Sequence, residues 1–146
     1  MRNRIVVVAA AVLATALLPA PSSAGDGFVV VVNQKNPSDK LTRAEVSQLF
    51  LKKVKTWPNG TTVVPCDLSA TSPVRTAFSQ GVHKKPAWFV VAYWQQEIAS
   101  GRSQPPAVYA EEWGALGTVR DDPGAIAYVS EGAQLGPGLK RLALEP

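Results

Sequence analysis

Phe28-Val29-Val30-Val31-Val32, closed by Asn33, is an unbroken apolar run in which every residue after the first is β-branched. A strand with one wet face alternates apolar and polar residues. A continuous short run suits a strand covered on both faces. Ala125-Ile126-Ala127-Tyr128-Val129 reads the same way, directly behind the turn Asp122-Pro123-Gly124. Val63 to Cys66 supplies another run after the turn Trp57-Pro58-Asn59-Gly60, and Leu139 to Leu144 is a further candidate strand.

Helical signals fall between these runs. Thr42-Arg43-Ala44-Glu45 has the spacing of a capping box, and Val46, Leu49 and Phe50 recur at i, i+3, i+4 in a helix that stops near Leu51. Ser72-Pro73 pairs a good N-cap with a proline at the first helical position, and Val74, Phe78 and Val82 mark the apolar face behind it, with Gly81 weakening its end. Ala87 to Trp94 reads as a buried strand or a buried helix. Its continuation through Ile98 to Ser100-Gly101 favours helix. A fourth helix is expected from Ala110 to Arg120, with Glu111 and Glu112 suited to the positive end of its dipole. Strands alternating with helices predict an α/β domain: a three-layer α/β/α sandwich with a largely parallel or mixed sheet.

The N-terminus reads differently. Met1 to Arg4 is basic, Ile5 to Leu18 is apolar apart from Thr15, and small residues flank a cut after Ala24. This is the layout of a secretory signal peptide over residues 1–24, and its apolar core is shorter than the ~20 residues that span a bilayer. Residues 25–146 are then a single domain, secreted or periplasmic and not membrane-spanning. Cleavage takes 24 of the 146 residues, leaves 122, and lowers the basic count from 15 to 13 against 11 acids. A net charge near +2 gives no support to nucleic-acid binding.

Candidate chemistry is sparse. Cys66 is the only cysteine, so no internal disulfide or cysteine zinc cluster exists, and a buried core role is expected for it. His83, the only histidine, falls in a polar stretch and reads as a solvated loop residue. No nucleophile–base pair, metal set or phosphate-cradling glycine loop is visible, so neither an enzyme nor a cofactor is expected. Glu111-Glu112 and Asp121-Asp122 read as capping and exit turns, and Lys52-Lys53-Val54-Lys55 as a solvated cluster after the first helix. The most promising stretch is Ser69-Ala70-Thr71-Ser72-Pro73-Val74-Arg75, where hydroxyls and free amides converge at a strand-to-helix junction. Thr71, Ser72 and Arg75 are its candidate ligand-binding residues. The competing reading is an ordinary helix cap with Arg75 in solvent.

Three segments together resemble the substrate-binding proteins of phosphate ABC transporters. Ser47 to Trp57 is similar to that family's "IF-x-G-K-x-x-x-W" stretch, and Pro123-Gly124-Ala125-Ile126-Ala127-Tyr128-Val129 to its "PGAIGYV" strand. Thr71 to Phe78 falls where the family has a "GSGT" helix start followed by a phenylalanine. The resemblance implies one lobe of a type II periplasmic binding protein, covering Phe28 to Val129. In that family two lobes close on phosphate, held by hydroxyls, an arginine, an aspartate and helix N-terminal amides. The family's binding serine falls on Ser72. Its following Gly-Thr becomes Pro73-Val74, which removes a hydroxyl and an amide donor. The family's arginine falls near Asp67-Leu68 and is missing there, leaving Arg75 as its candidate replacement.

The resemblance therefore implies binding of inorganic phosphate or another small oxyanion at a helix N-terminus, with an envelope or transporter protein as a partner. The alternative is a non-catalytic interaction or sensor module of the envelope whose ligand site has decayed.

Overall fold

A computed structural model describes residues 25–146; the leader expected over residues 1–24 lies outside the described residues. The strands are β1 (Val29–Asn33), β2 (Lys40–Thr42), β3 (Val64–Leu68), β4 (Ala107–Tyr109), β5 (Ala125–Val129) and β6 (Leu139–Glu145). The helices are α1 (Arg43–Phe50), α2 (Pro73–Phe78), α3 (Ala87–Ala99) and α4 (Glu112–Asp121), with a π turn at Ser79–His83 prolonging α2.

The strands form one six-stranded sheet in the order β2-β6-β1-β5-β3-β4. β3 runs parallel to β4 and β5, β2 runs parallel to β6, and β1 runs antiparallel to both its neighbours. The sheet is thus mixed, and β1 is the strand that makes it so. Its register pairs Val30 with Tyr128 and Val31 with Ala127. Because side chains alternate across a strand, Val30 and Tyr128 share one face while Val31, Asn33 and Ala127 share the other. On the first face Tyr128 stacks on Phe78 of α2 at 3.8 Å, and Phe50 of α1 leans on both rings. On the second, Asn33 donates its side-chain amide to the carbonyls of Val119 and Arg120 in α4, each at 2.9 Å. Helices therefore cover both faces, as the continuous apolar runs required, and the architecture is the expected three-layer α/β sandwich.

Local signals are realised closely in α1. Thr42 caps it, accepting from the Glu45 amide, while the Glu45 carboxylate accepts from the Thr42 amide. The two short edge strands β2 and β4 were not visible as apolar runs, since each has only three residues. α3 is a helix, but of its apolar residues only Val90 and Trp94 are buried, so the expected buried helix is half right. Gly81 sits where the chain crosses Phe28; a Cβ there would lie 2.8 Å from the ring.

The first and last resembling segments meet in space. The Trp57 indole N–H donates to the Gly124 carbonyl at 2.8 Å, and the Val64 amide reaches the same oxygen at 3.0 Å. This knot clamps the turn before β5 to the start of β3. A Cβ on Gly124 would come 2.1 Å from the Thr62 carbonyl oxygen, a contact the backbone cannot accept, whereas a Cβ on Gly117 in α4 meets nothing within 4 Å. Gly124→Ala is expected to lower the unfolding free energy by more than ~1 kcal/mol, and Gly117→Ala to raise it by ~0.5–1 kcal/mol, in urea titrations.

Candidate functional site

Because β3, β4 and β5 run parallel, their carboxyl ends share one edge of the sheet, where ligands of open α/β sheets bind. The β3–α2 loop, Ser69 to Ser72, stands there. The Ser69 amide donates to the Tyr109 carbonyl at 3.0 Å, the Ser72 amide to the Ser69 carbonyl at 2.9 Å, and the Ser69 and Thr71 hydroxyls are 3.0 Å apart. Ser72 is the N-cap of α2 and accepts from the Arg75 amide at 3.4 Å, with Pro73 at the first helical position.

Arg75 does not extend into solvent. Its side chain, 6% exposed, turns back beneath the loop. Nη1 donates to the Leu68 carbonyl at 2.7 Å and lies 2.9 Å from Asp67 Oδ2. The other oxygen of Asp67, itself 9% exposed, accepts from the Leu68 amide at 2.9 Å and from the Tyr128 hydroxyl. Residues of β3, β5 and α2 thus close one buried network. Burial pushes the Asp67 carboxyl above the usual carboxylate range, against the opposing pull of Arg75, Tyr128 and the Leu68 amide. Burial, then the charge of Asp67, raises the Tyr128 phenol.

Two hollows flank the loop. A cleft of about 290 Å³ has Asp67, Arg75, Ser69 and Ala70 on its polar side and Val91, Trp94, Ile98 and Val108 among its apolar walls. A shallower hollow of about 520 Å³ takes Ser72 and Pro73 together with Glu111, Glu112 and Trp113. Arg75 and Ser72 therefore face different hollows, and Thr71 stands on the exposed loop between them. Glu112 does more than favour a helix dipole: it accepts from the Ser130 amide at 3.1 Å and hydroxyl at 2.9 Å, occupying the amide at the end of β5. Carboxylates make this second hollow unfavourable for an anion, so the positive charge of the edge lies with Arg75.

Asp67 and Tyr128 were not singled out as site residues by sequence reasoning. The available signal was a carboxylate ending an apolar strand, with an arginine shortly downstream; a charge is buried only when paired.

His83 corrects another expectation. It is half-buried rather than solvated, its Nδ1 lies 2.8 Å from the Ser47 hydroxyl, and its ring meets Phe78 edge-on. A serine–histidine contact therefore exists that sequence did not show. Burial, and then the positive charge of Arg75, pushes the imidazole down to about 4, which leaves it a poor base near neutral pH. Cys66 is buried as expected, and burial raises its thiol to about 11. Among the described residues no cluster of His, Cys, Asp or Glu is arranged to hold a metal ion.

The profile of the PBP superfamily domain matches residues 22–141, most of the chain and all of this site. The chain belongs to the PBP superfamily. No curated protein matches its sequence. Among solved structures, an ABC-type phosphate transport receptor from Vibrio cholerae superposes with a TM-score of 0.62 at 18% identity, over 81% of this chain and 46% of its own. A Clostridium perfringens protein of the phosphate ABC transporter substrate-binding type, solved with phosphate bound, gives 0.63 at 16% identity, over 81% and 44%. PstS from Borrelia burgdorferi gives 0.56 at 9%, over 81% and 47%. These likenesses establish the shared fold, and this PBP-superfamily chain spans less than half the length of each structure.

The depressed His83 pKa makes the stability of this domain depend on pH. A histidine that is harder to protonate when folded contributes stability that is full above its unfolded pKa, near 6.5, and is lost as pH falls towards 4. The raised Asp67 carboxyl acts in the opposite sense, so the measurement compares wild type with His83→Gln, which keeps Asp67. Between pH 6.5 and 4 the wild type should lose about 3 kcal/mol relative to the variant in urea titrations. Parallel pH profiles would refute the assignment.

Proposed function

We propose that residues 25–146 form a secreted or periplasmic binding domain that takes phosphate or a similar small oxyanion at the β3–α2 loop without transforming it. The reading rests on one observation: Arg75, held in place by Asp67 and the Leu68 carbonyl, brings a fixed cation beneath a loop of hydroxyl groups at the carboxyl edge of a PBP-superfamily sheet. Thr71 and Ser69 would supply hydroxyls from the rim, and Ser72 would act by capping α2 and fixing the loop. Phosphate is favoured because the neighbours named above are phosphate receptors and binding proteins. The Asp67 carboxylate sharpens this choice. An ionised carboxylate only accepts hydrogen bonds, so an oxyanion sharing Arg75 with it gains from carrying an O–H. Phosphate near neutral pH carries one and sulfate does not. A transporter or other envelope protein is the partner class that this role implies.

Arg75→Ala is a poor probe, because it would leave Asp67 buried and unpaired at a cost of ~3–5 kcal/mol. Thr71→Val leaves the ion pair intact. Calorimetry of residues 25–146 should show heat on adding phosphate, with affinity about tenfold lower in Thr71→Val and weaker binding of sulfate. No heat and no thermal shift at millimolar phosphate would eliminate the reading.

Export rests on the N-terminal leader. No described helix is long and apolar enough to cross a membrane. N-terminal sequencing of the exported protein is expected to begin at Gly25, and retention of Met1 would argue against cleavage.

A further inference from the structure

The net charge of residues 25–146 conceals a strong asymmetry. α3 and the segment after α1 lie side by side: the Tyr93 hydroxyl donates to the Leu51 carbonyl at 3.4 Å, and the Lys52 ammonium reaches the Pro105 carbonyl at 3.4 Å. Lys53 and Lys85 line one hollow with Phe89 and Tyr93, and Lys52, Lys55 and Arg102 line the next. With Lys84 this face holds six cations against one acid, Glu97, which Arg102 already binds at 2.7 Å. The rest of residues 25–146 holds seven cations and ten acids. The segments around α3 and after α1 are therefore at +5 and the rest of residues 25–146 at −3.

Aromatic side chains stand at the same place. Trp88 is 71% exposed and Phe89 43%, the two rings meeting edge-on at 6.1 Å. Lys85 Nζ lies 5.0 Å from the centre of the Phe89 ring. Ala92 and Ala99 continue the exposed face of α3. Only Val90 and Trp94 of this apolar helix are buried, so its composition exceeds what packing within the domain requires.

We propose that the Trp88–Phe89 end of α3, with the lysines around it, docks on an anionic lipid bilayer surface. Charge complementarity and shape both point to this occupant. Trp88 stands out from the surface, and a protruding aromatic inserts into a deformable headgroup layer, where indole rings settle. The cations are mainly lysines, compact charges on long flexible stems, which suit diffuse lipid headgroups better than the bidentate pairing that arginine gives at protein interfaces. The acidic remainder of the domain is repelled by the same surface, which orients the molecule with α3 towards it. This proposal is independent of the oxyanion reading.

The test uses residues 25–146, which carry all six strands and four helices described above, and co-sedimentation with phosphatidylcholine vesicles with and without phosphatidylglycerol. Wild type should bind the anionic vesicles at low salt, bind neutral ones weakly, and lose binding as salt rises. Lys84→Gln/Lys85→Gln should lower the partition coefficient on the order of tenfold or more. Trp88→Phe should retain binding but lose most of the blue shift in tryptophan emission that vesicles induce, and a circular dichroism melt confirms that each variant folds. Failure of wild type to bind anionic vesicles, equal binding by the folded lysine variant, or an unchanged blue shift in Trp88→Phe would each overturn the proposal. Lysine-dependent capture by an acidic protein without vesicle binding would overturn it in favour of a protein partner.

Discussion

A carboxylate and a guanidinium buried together at the end of β3 hold the working edge of this domain in place. Asp67 and Arg75 are almost wholly removed from water, and neither is tolerable there alone. The pair fixes the start of α2 against β3, and the Tyr128 hydroxyl adds β5 to the same network. Tyr128 also presents its ring to Phe78 and, through it, to Phe50 and Phe28. One phenol therefore links the polar network at the sheet edge to the aromatic core under α1 and α2. The loop that carries Thr71 and Ser72 sits on this support.

The same arrangement limits what the site does. Arg75 is positioned rigidly, but Asp67 offsets its charge, and Glu112 occupies the Ser130 amide that would otherwise face the edge. Little net charge is left to meet an anion there, so the proposed selectivity is one of hydrogen-bond complementarity more than of charge. A denser group of basic residues lies elsewhere, along α3 and after α1, beside exposed aromatics. The candidate oxyanion loop and the basic, aromatic end of α3 thus belong to different parts of the fold.

Much of the architecture was legible. The continuous β-branched and apolar runs identified β1 and β5 as strands covered on both faces, and the Thr42–Glu45 box located the start of α1 to the residue. Local rules succeeded there because the interactions that decide those elements are local. β2 and β4 escaped notice because three-residue edge strands are held by backbone pairing to β6 and β3, which leaves little side-chain pattern. His83 was misread for a related reason. Its neighbours in sequence are polar, but its neighbours in space are Ser47 and Phe78.

By itself the sequence determined the α/β class, the resemblance to phosphate-binding proteins and the loop at which chemistry was to be sought. These follow from periodicity, capping chemistry and motif order, all properties of neighbouring residues. Only the tertiary structure decided that β1 runs against its neighbours, that Arg75 turns inward to Asp67, and that Arg75 and Ser72 face separate hollows. The direction of Arg75 depends on a partner eight residues away across a strand end and on a phenol from another strand. Burial sets the energy of that choice, and burial exists only once the layers have closed.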